Sequence, residues 1–279
     1  MSADYCHDLV RSGDRDRYLS SLFAPDRVRP QLLALYAFNI EIARVRETVS
    51  EAMLGEIRLK WWHDAIESLY AGAETGHPVV AALAPAIAEA GLPKHAFISM
   101  IAARQFDLYD DPMPDLGALE GYLGETSAML IQLAAMILAK DQAQAVAEVS
   151  GLAGVAMGIT GLLRSLPLTR ARGQCFIPKE MLERQGVSPA HLLAARNPEA
   201  LTTVLAEFRA HAAKRLAEAR AKAAAITPEA FPAYLPASLT SLYLARLQKL
   251  GAQSLSQVAD VAQWRRQWAL YRNARAQTL

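Results

Sequence analysis

The sequence predicts an all-α fold, on three observations. Good helix formers, chiefly Ala, Leu, Glu, Gln and Arg, fill most segments. No run of alternating apolar and polar residues bounded by turn signals is present, as a half-buried strand would require. Apolar residues instead recur at helical spacing, as Leu32, Leu35, Tyr36, Phe38, Ile42 and Val45 do. With 279 residues, 52% of them hydrophobic, the chain can bury one large core or two modest ones. A single domain is expected, because no linker, repeat or low-complexity tract interrupts it.

The elements follow in order. A first helix is expected from Ala3 to Arg11, then a polar turn, SGDRDR, leading to Tyr18 and Leu19. Pro25 and Pro30 punctuate the approach to a long helix from Gln31 to Glu47, and MLGEIRLKWWHDAIESLYAG continues as a second, stopped at Gly72. HPVVAALAPAIAEAGLP reads as a helix with Pro85 inside it or at a kink, and PKHAFISMIAARQFDLYDD as another ending before Pro112. Further helices are expected at Leu116 to Lys140, Ala143 to Leu163, Pro189 to Ala195, Pro198 to Ile226, Pro236 to Leu250 and Ser256 to Ala276. Between them PLTRARGQCFIPKEMLERQGVS is the one long irregular stretch, a length that is often functional.

A net charge of +1 and a pI near 7.8 create no overall field that would recruit nucleic acid or an acidic membrane, so any such attraction must come from a local patch, and no nucleic-acid partner is expected. Cys6 and Cys175 form no C-x-x-C pair and the start is too polar for a signal peptide. A reducing, cytoplasmic setting is the expectation. The longest uncharged runs, Thr126 to Ala139 and Val149 to Leu163, fall short of the roughly 20 apolar residues of a spanning helix. No membrane span is expected, and the protein should be soluble or peripheral at the membrane.

Four constellations could carry chemistry. Glu41, Arg44, Glu47 and Glu51 share one face of the predicted helix, either as a solvated ion-pair lattice or as a metal site. Arg44 in their midst argues against Mg²⁺, which needs concentrated negative charge. In FDLYDDPMPD, the acids Asp107, Asp110, Asp111 and Asp115 read as a solvated helix end or as a weak cation pair. Gly151, Gly154, Gly158 and Gly161 form a stripe along a helix, for which tight helix packing or an elongated ligand in the groove must compensate the helix-propensity cost. In QWRRQWALYRNAR, Trp264, Trp268 and Tyr271 fall at i, i+4 and i+7 with Arg265, Arg266, Arg272 and Arg275 mostly elsewhere around the helix. This stretch would cap the core, dock on a partner or rest on a membrane surface. The histidines show no metal-ligand spacing, and His63 and His191 are taken as structural.

LYAFNIEIARVRETVSEAMLGEIRLKWWHDAIESLYAG, HPVV, GYLGETSAML and GVAMGITGLLRSLPLTRARGQCFIP, in this order and spacing, resemble the squalene/phytoene synthase family over nearly the whole chain. The resemblance implies the isoprenoid-synthase fold, a helical bundle around a long central cavity. Enzymes of that family join two prenyl diphosphates head to head, with Mg²⁺ held by two aspartate-rich motifs. Here both motifs are altered. Where the first would place acids the chain has Ala43, Arg44 and Glu47, and only Glu47 is a carboxylate. In the second, Gly158, Gly161, Ser165 and Thr169 replace Gln, Asn and the two Asp, while Arg164 matches. Tyr122 and Thr126 match a third family segment, in which Ser127 and Ala128 stand in place of Ala-Gly.

The combination FN-E-AR-RE-VSE, WW and RGQCFIP is similar to a divergent branch that includes the mitochondrial assembly factor for respiratory complex I. That likeness implies a non-catalytic or cryptically active protein that needs no cofactor and assists a membrane-complex partner. It places Glu41, Arg44, Glu47, Tyr122, Thr126, Arg164, Ser165 and Thr169 at the cavity mouth, with Arg44, Glu47 and Arg164 as an ion-pair network. The glycine stripe would border an apolar cavity suited to a hydrophobic isoprenoid-like ligand. Trp264, Arg265, Trp268 and Arg272 would contact membrane or partner. The alternative is a prenyltransferase in which Glu47, Asp107, Asp110 and Asp111 hold Mg²⁺ in an unfamiliar arrangement.

Overall fold

The computed structural model describes residues 2–73, 75–142 and 144–279, and every regular element among them is helical. In chain order these are α1 (Ser2–Gly13), α2 (Arg15–Ser21), α3 (Arg29–Ala43), α4 (Val45–Thr48), α5 (Ala52–Tyr70), α6 (Pro78–Ala90) and α7 (Lys94–Ala103). Then come α8 (Leu116–Leu123), α9 (Met129–Leu138), α10 (Ala147–Arg164), α11 (Leu166–Ala171), α12 (Lys179–Arg184) and α13 (Pro189–Leu193). The chain closes with α14 (Pro198–Ala221), α15 (Leu235–Ser238), α16 (Thr240–Leu250) and α17 (Gln263–Ala276).

Several boundaries differ from the sequence reading, each for a local reason. The SGDRDR segment is no turn: Asp14 accepts the Arg17 amide at 3.0 Å and so caps α2. The long helix expected to reach Glu47 stops at Ala43, where Arg44 leaves helical geometry at φ −91°, ψ 0°. The helix expected from Ala143 begins at Ala147, and Ala143 itself lies outside the described residues. Half of the expected irregular stretch folds into α11 and α12, and Arg170 on α11 pins the end of α13 by donating to the carbonyls of Leu192 (2.7 Å) and Leu193 (2.9 Å). The last helix starts at Gln263 rather than Ser256.

A π-helical turn, Gly124–Ala128, joins α8 to α9. The resulting rod, Leu116–Leu138, has 23 residues and is by length and composition apolar enough to cross a membrane, which the uncharged runs alone did not suggest. Half of its apolar window is buried inside the protein. Its Glu120 is held at the surface of α14 by Arg215 and His211. These are properties of a core helix.

Two apolar clusters share α10. One is built from α1, α3, α5, α6, α7, α9 and the start of α10, with Phe38 edge-on to Trp62 (5.6 Å between centroids) and to Phe97 (5.2 Å). Such pairs add about 0.5–1.5 kcal/mol each beyond the burial of their area. The other gathers Leu119, Leu123, Ile159, Leu163, Leu182, Leu205, Phe208 and Leu247 around the end of α10 and the length of α14. Cys6 and Cys175 are buried and unpaired, and burial pushes each thiol up to about 11, so both stay protonated.

Candidate functional site

Where the two clusters meet, a cavity of about 240 Å³ opens between α2, the π-helical turn, the second half of α10 and α16. It is lined by Asp14, Asp16, Arg17, Arg104, Tyr122, Thr126, Gly158, Gly161, Arg164 and Tyr243, with Leu123, Met157, Leu162 and Pro236 as its apolar part. The cavity beside the glycine stripe is therefore charged, against the expectation of an apolar one. Two of the four stripe glycines, Gly158 and Gly161, reach it.

The charges form three groups, one around each of the carboxylates Asp16, Asp14 and Asp107. Asp16 accepts from Arg266 Nη1 at 2.8 Å and from the Tyr243 hydroxyl, and Arg164 lies 3.7 Å away with its guanidinium 3.5 Å from the Tyr243 ring centroid. Asp14 is bonded by the Arg17 guanidinium. Asp107, buried in a 3₁₀ turn (Phe106–Leu108), accepts from the Tyr122 hydroxyl at 2.8 Å and from Arg104 at 3.2 Å, and Arg104 also donates to Tyr122 at 2.8 Å. Burial pushes the Asp107 carboxyl up, opposed by the Arg104 guanidinium and the Tyr122 hydroxyl. The same burial pushes the Tyr122 and Tyr243 hydroxyls far up, so both remain donors. Asp107 is thus a partnered core residue and not a member of a solvated helix end.

The backbone makes this arrangement possible. The π turn and the end of α8 bring Leu123, Ser127 and Ala128 against α10, and Thr126 closes the turn by donating to the Tyr122 carbonyl at 2.7 Å. A Cβ at Gly154 would sit 2.5 Å from the Ala128 amide nitrogen, and one at Gly158 2.5 Å from Leu123 Cδ2, so two glycines exist for this contact. Gly151 and Gly161 have nothing within 4 Å of that position. Tight packing explains the middle of the stripe only.

The first altered motif does not join this cavity. Glu47 pairs with Arg172 at 2.9 Å and stands 3.9 Å from Arg44, while Glu41 accepts the Tyr5 hydroxyl at 3.1 Å. The break at Arg44 takes Glu41 and Glu47 off a common helix face. Arg164, expected to join Arg44 and Glu47, has Asp16 as its carboxylate instead. Asp110 faces Arg46 at 3.5 Å, and Asp111 and Asp115 are exposed, with Asp115 capping α8. Ser165 and Thr169 turn back onto carbonyls of their own helices. Of the eight expected mouth residues the structure gathers Tyr122, Thr126 and Arg164.

The resemblance implies Mg²⁺, for which these groups are the donors at hand. Mg²⁺ wants about six oxygen ligands in octahedral array. Among the described residues no group of three or more His, Cys, Asp or Glu is placed to hold a metal ion. The cavity carboxylates Asp14 and Asp16 are each committed to a guanidinium. The residues present do not fit that metal.

Two apolar surfaces are exposed away from this cavity. On α5, Met53, Leu54, Ile57 and Trp61 point outward beside a groove of about 620 Å³ that also includes Trp62 and His77. On α17, Trp264, Trp268 and Tyr271 do not cap the core: Leu270 and Asn273 do, and the aromatics face out. Asp14, Asp16, Arg17, Arg104 and Tyr243 carry no signal in the sequence reading, which grouped Arg266 with the other arginines of the last helix rather than with Asp16. The first three lie in a segment whose alternating charges imitate a solvated turn.

The squalene/phytoene synthase family profile matches residues 10–272. The chain is 30% identical over 246 residues to the NADH dehydrogenase (ubiquinone) complex I, assembly factor 6, of Mus musculus, covering 88% of this chain and 74% of that protein. It is 24% identical to the phytoene synthase of Rhodobacter capsulatus over 70% of this chain and 57% of that protein. Among solved structures, a dehydrosqualene synthase superposes with a TM-score of 0.82 at 19% identity, over 99% of this chain and 96% of the other. The squalene synthase HpnC from Alicyclobacillus acidocaldarius gives 0.78 at 21% identity, over 90% and 94%. The chain belongs to the squalene/phytoene synthase family and has its all-α, isoprenoid-synthase-like fold.

Proposed function

We propose that this member of the squalene/phytoene synthase family is an assembly or binding factor for a membrane respiratory complex and carries out no metal-dependent prenyl transfer. One observation carries the reading: the positions at which the family sequence pattern has metal-binding acids hold Ala43, Arg44, Ser165 and Thr169, and the remaining acid, Glu47, is paired with Arg172. Ionising a prenyl diphosphate places new negative charge on the departing pyrophosphate, and a metal ion ordinarily stabilises it. Among the described residues no such ion has ligands, and the cavity arginines Arg17, Arg104 and Arg164 each lie within ion-pair distance of a carboxylate.

The likeness to complex I assembly factor 6 proteins supports the positive half of the reading. The apolar stripe on α5 supports it too, since an exposed cluster of Met53, Leu54, Ile57 and Trp61 beside a groove suits a protein partner. Two experiments test the halves separately. Deleting the gene should lower assembled respiratory complex on native gels, and the wild-type chain should restore it. Incubation with labelled farnesyl or geranylgeranyl diphosphate and Mg²⁺ should release no pyrophosphate. Turnover that vanishes on Glu47→Ala would establish the prenyltransferase instead.

A further inference from the structure

We propose that the outer face of α17 is a docking surface for an anionic lipid bilayer. At about 100° per residue, Tyr271, Trp264, Arg275 and Trp268 occupy roughly 60° of the helix circumference, with Arg272 and Arg265 directly beside them. The opposite side carries Leu270 and Asn273, both buried, and Arg266, which turns inward to Asp16. Trp264 is 67% exposed, Trp268 62% and Tyr271 47%, a large aromatic area left in water on a chain whose other tryptophan pair sits at α5. No Asp or Glu occurs from Gln263 to Ala276. The nearest acid in sequence, Asp260, lines a groove with Arg246, Lys249 and Arg265 and is outnumbered by them.

Charge complementarity selects the occupant. A protein groove that swallowed these rings would also have to desolvate or pair Arg265, Arg272 and Arg275. An anionic headgroup layer supplies phosphate oxygens at the depth where Trp and Tyr rings prefer to lie, and the arginine stems can reach them while the rings insert. The rings are already arranged for this: Trp268 and Tyr271 stack with centroids 5.9 Å apart and a 28° tilt, and the Arg265 guanidinium lies 5.7 Å from the Trp264 centroid. The inference rests on α17 alone and is independent of the respiratory-complex reading.

Co-sedimentation with vesicles tests it, using phosphatidylcholine alone and phosphatidylcholine mixed with phosphatidylglycerol. The full-length protein should partition onto the mixed vesicles at least about tenfold better, and raised salt should release it. Replacing Arg265, Arg272 and Arg275 by Gln should weaken binding about fivefold per residue. Trp264→Ala with Trp268→Ala should remove the blue shift of tryptophan emission that insertion produces. Circular dichroism and melting temperature should be unchanged in both variants, because the altered side chains are exposed. Equal partitioning onto neutral vesicles, or binding that survives the double tryptophan change, would overturn the proposal. So would a failure to sediment accompanied by concentration-dependent self-association that Trp268→Ala abolishes, since the face would then belong to a second copy of the chain.

Discussion

The middle of α10 and its last turns carry the same residue, glycine, for opposite reasons. At Gly154 the missing side chain admits the backbone of Ala128 from the π turn, and nothing larger than hydrogen fits. At Gly161 the same absence leaves open space bordering a charged cavity. A glycine stripe is thus not one feature. One part is packing, set by the approach of a neighbouring backbone, and another is a surface that a side chain could occupy without any collision.

The largest expected effect tests the packed part. Gly154→Val should cost about 3 kcal/mol or more, because the atoms it meets are backbone and cannot rotate away. Chemical denaturation measures it, and a loss below about 1 kcal/mol would show that the π turn is not held by this contact. The cavity pairs come next. Asp16→Ala leaves Arg266 and Arg164 without their carboxylate and should cost about 3 kcal/mol, whereas Asp16→Asn, which keeps an acceptor for Tyr243, should cost less. Equal losses would mean that charge plays no part.

A pair outside the cavity sharpens the contrast through pH. Burial alone would raise the Glu120 carboxyl, but two bonds from Arg215 (2.7 and 2.8 Å) and one from His211 (2.6 Å) outweigh it and hold the group below its ordinary 4.5. A carboxyl depressed on folding contributes stability above its unfolded pKa and loses it as pH falls through the folded one. Glu120→Gln should therefore destabilise by about 1–2 kcal/mol at pH 7, and the difference from wild type should shrink below about pH 4. A gap that persists at pH 3 would contradict the ionic account. Asp107, pushed the other way by burial, should not follow that profile. The smallest effect has the opposite sign: Gly161→Ala should stabilise by up to about 1 kcal/mol, since helix propensity improves and nothing is met. Destabilisation there would show that the cavity needs the space.

Much of this was readable beforehand. The helix-forming composition and the ordered motifs led to the all-α, isoprenoid-synthase-like fold, and the loss of acids at positions 43, 44, 165 and 169 was visible letter by letter. The site was less legible. Arg164 was expected to meet Glu47 and meets Asp16, more than a hundred residues away in sequence. Asp107 looked like a frayed helix end because its neighbours Asp110 and Asp111 are solvated, and only the packing of Tyr122 and Arg104 makes it a core residue. The aromatics of α17 fit a core-facing stripe by periodicity, yet the core takes Leu270 and Asn273 instead.

Sequence alone determined the features whose causes are local: the helical character, the proline starts, the glycine stripe and the identities of the substituted acids. Tertiary structure decided which charges are partners, which glycines touch anything and which face of the last helix meets water. Those outcomes depend on desolvation and on distances across the bundle. Chain spacing carries no record of either, because a buried ion pair and a solvated one are spelled with the same letters.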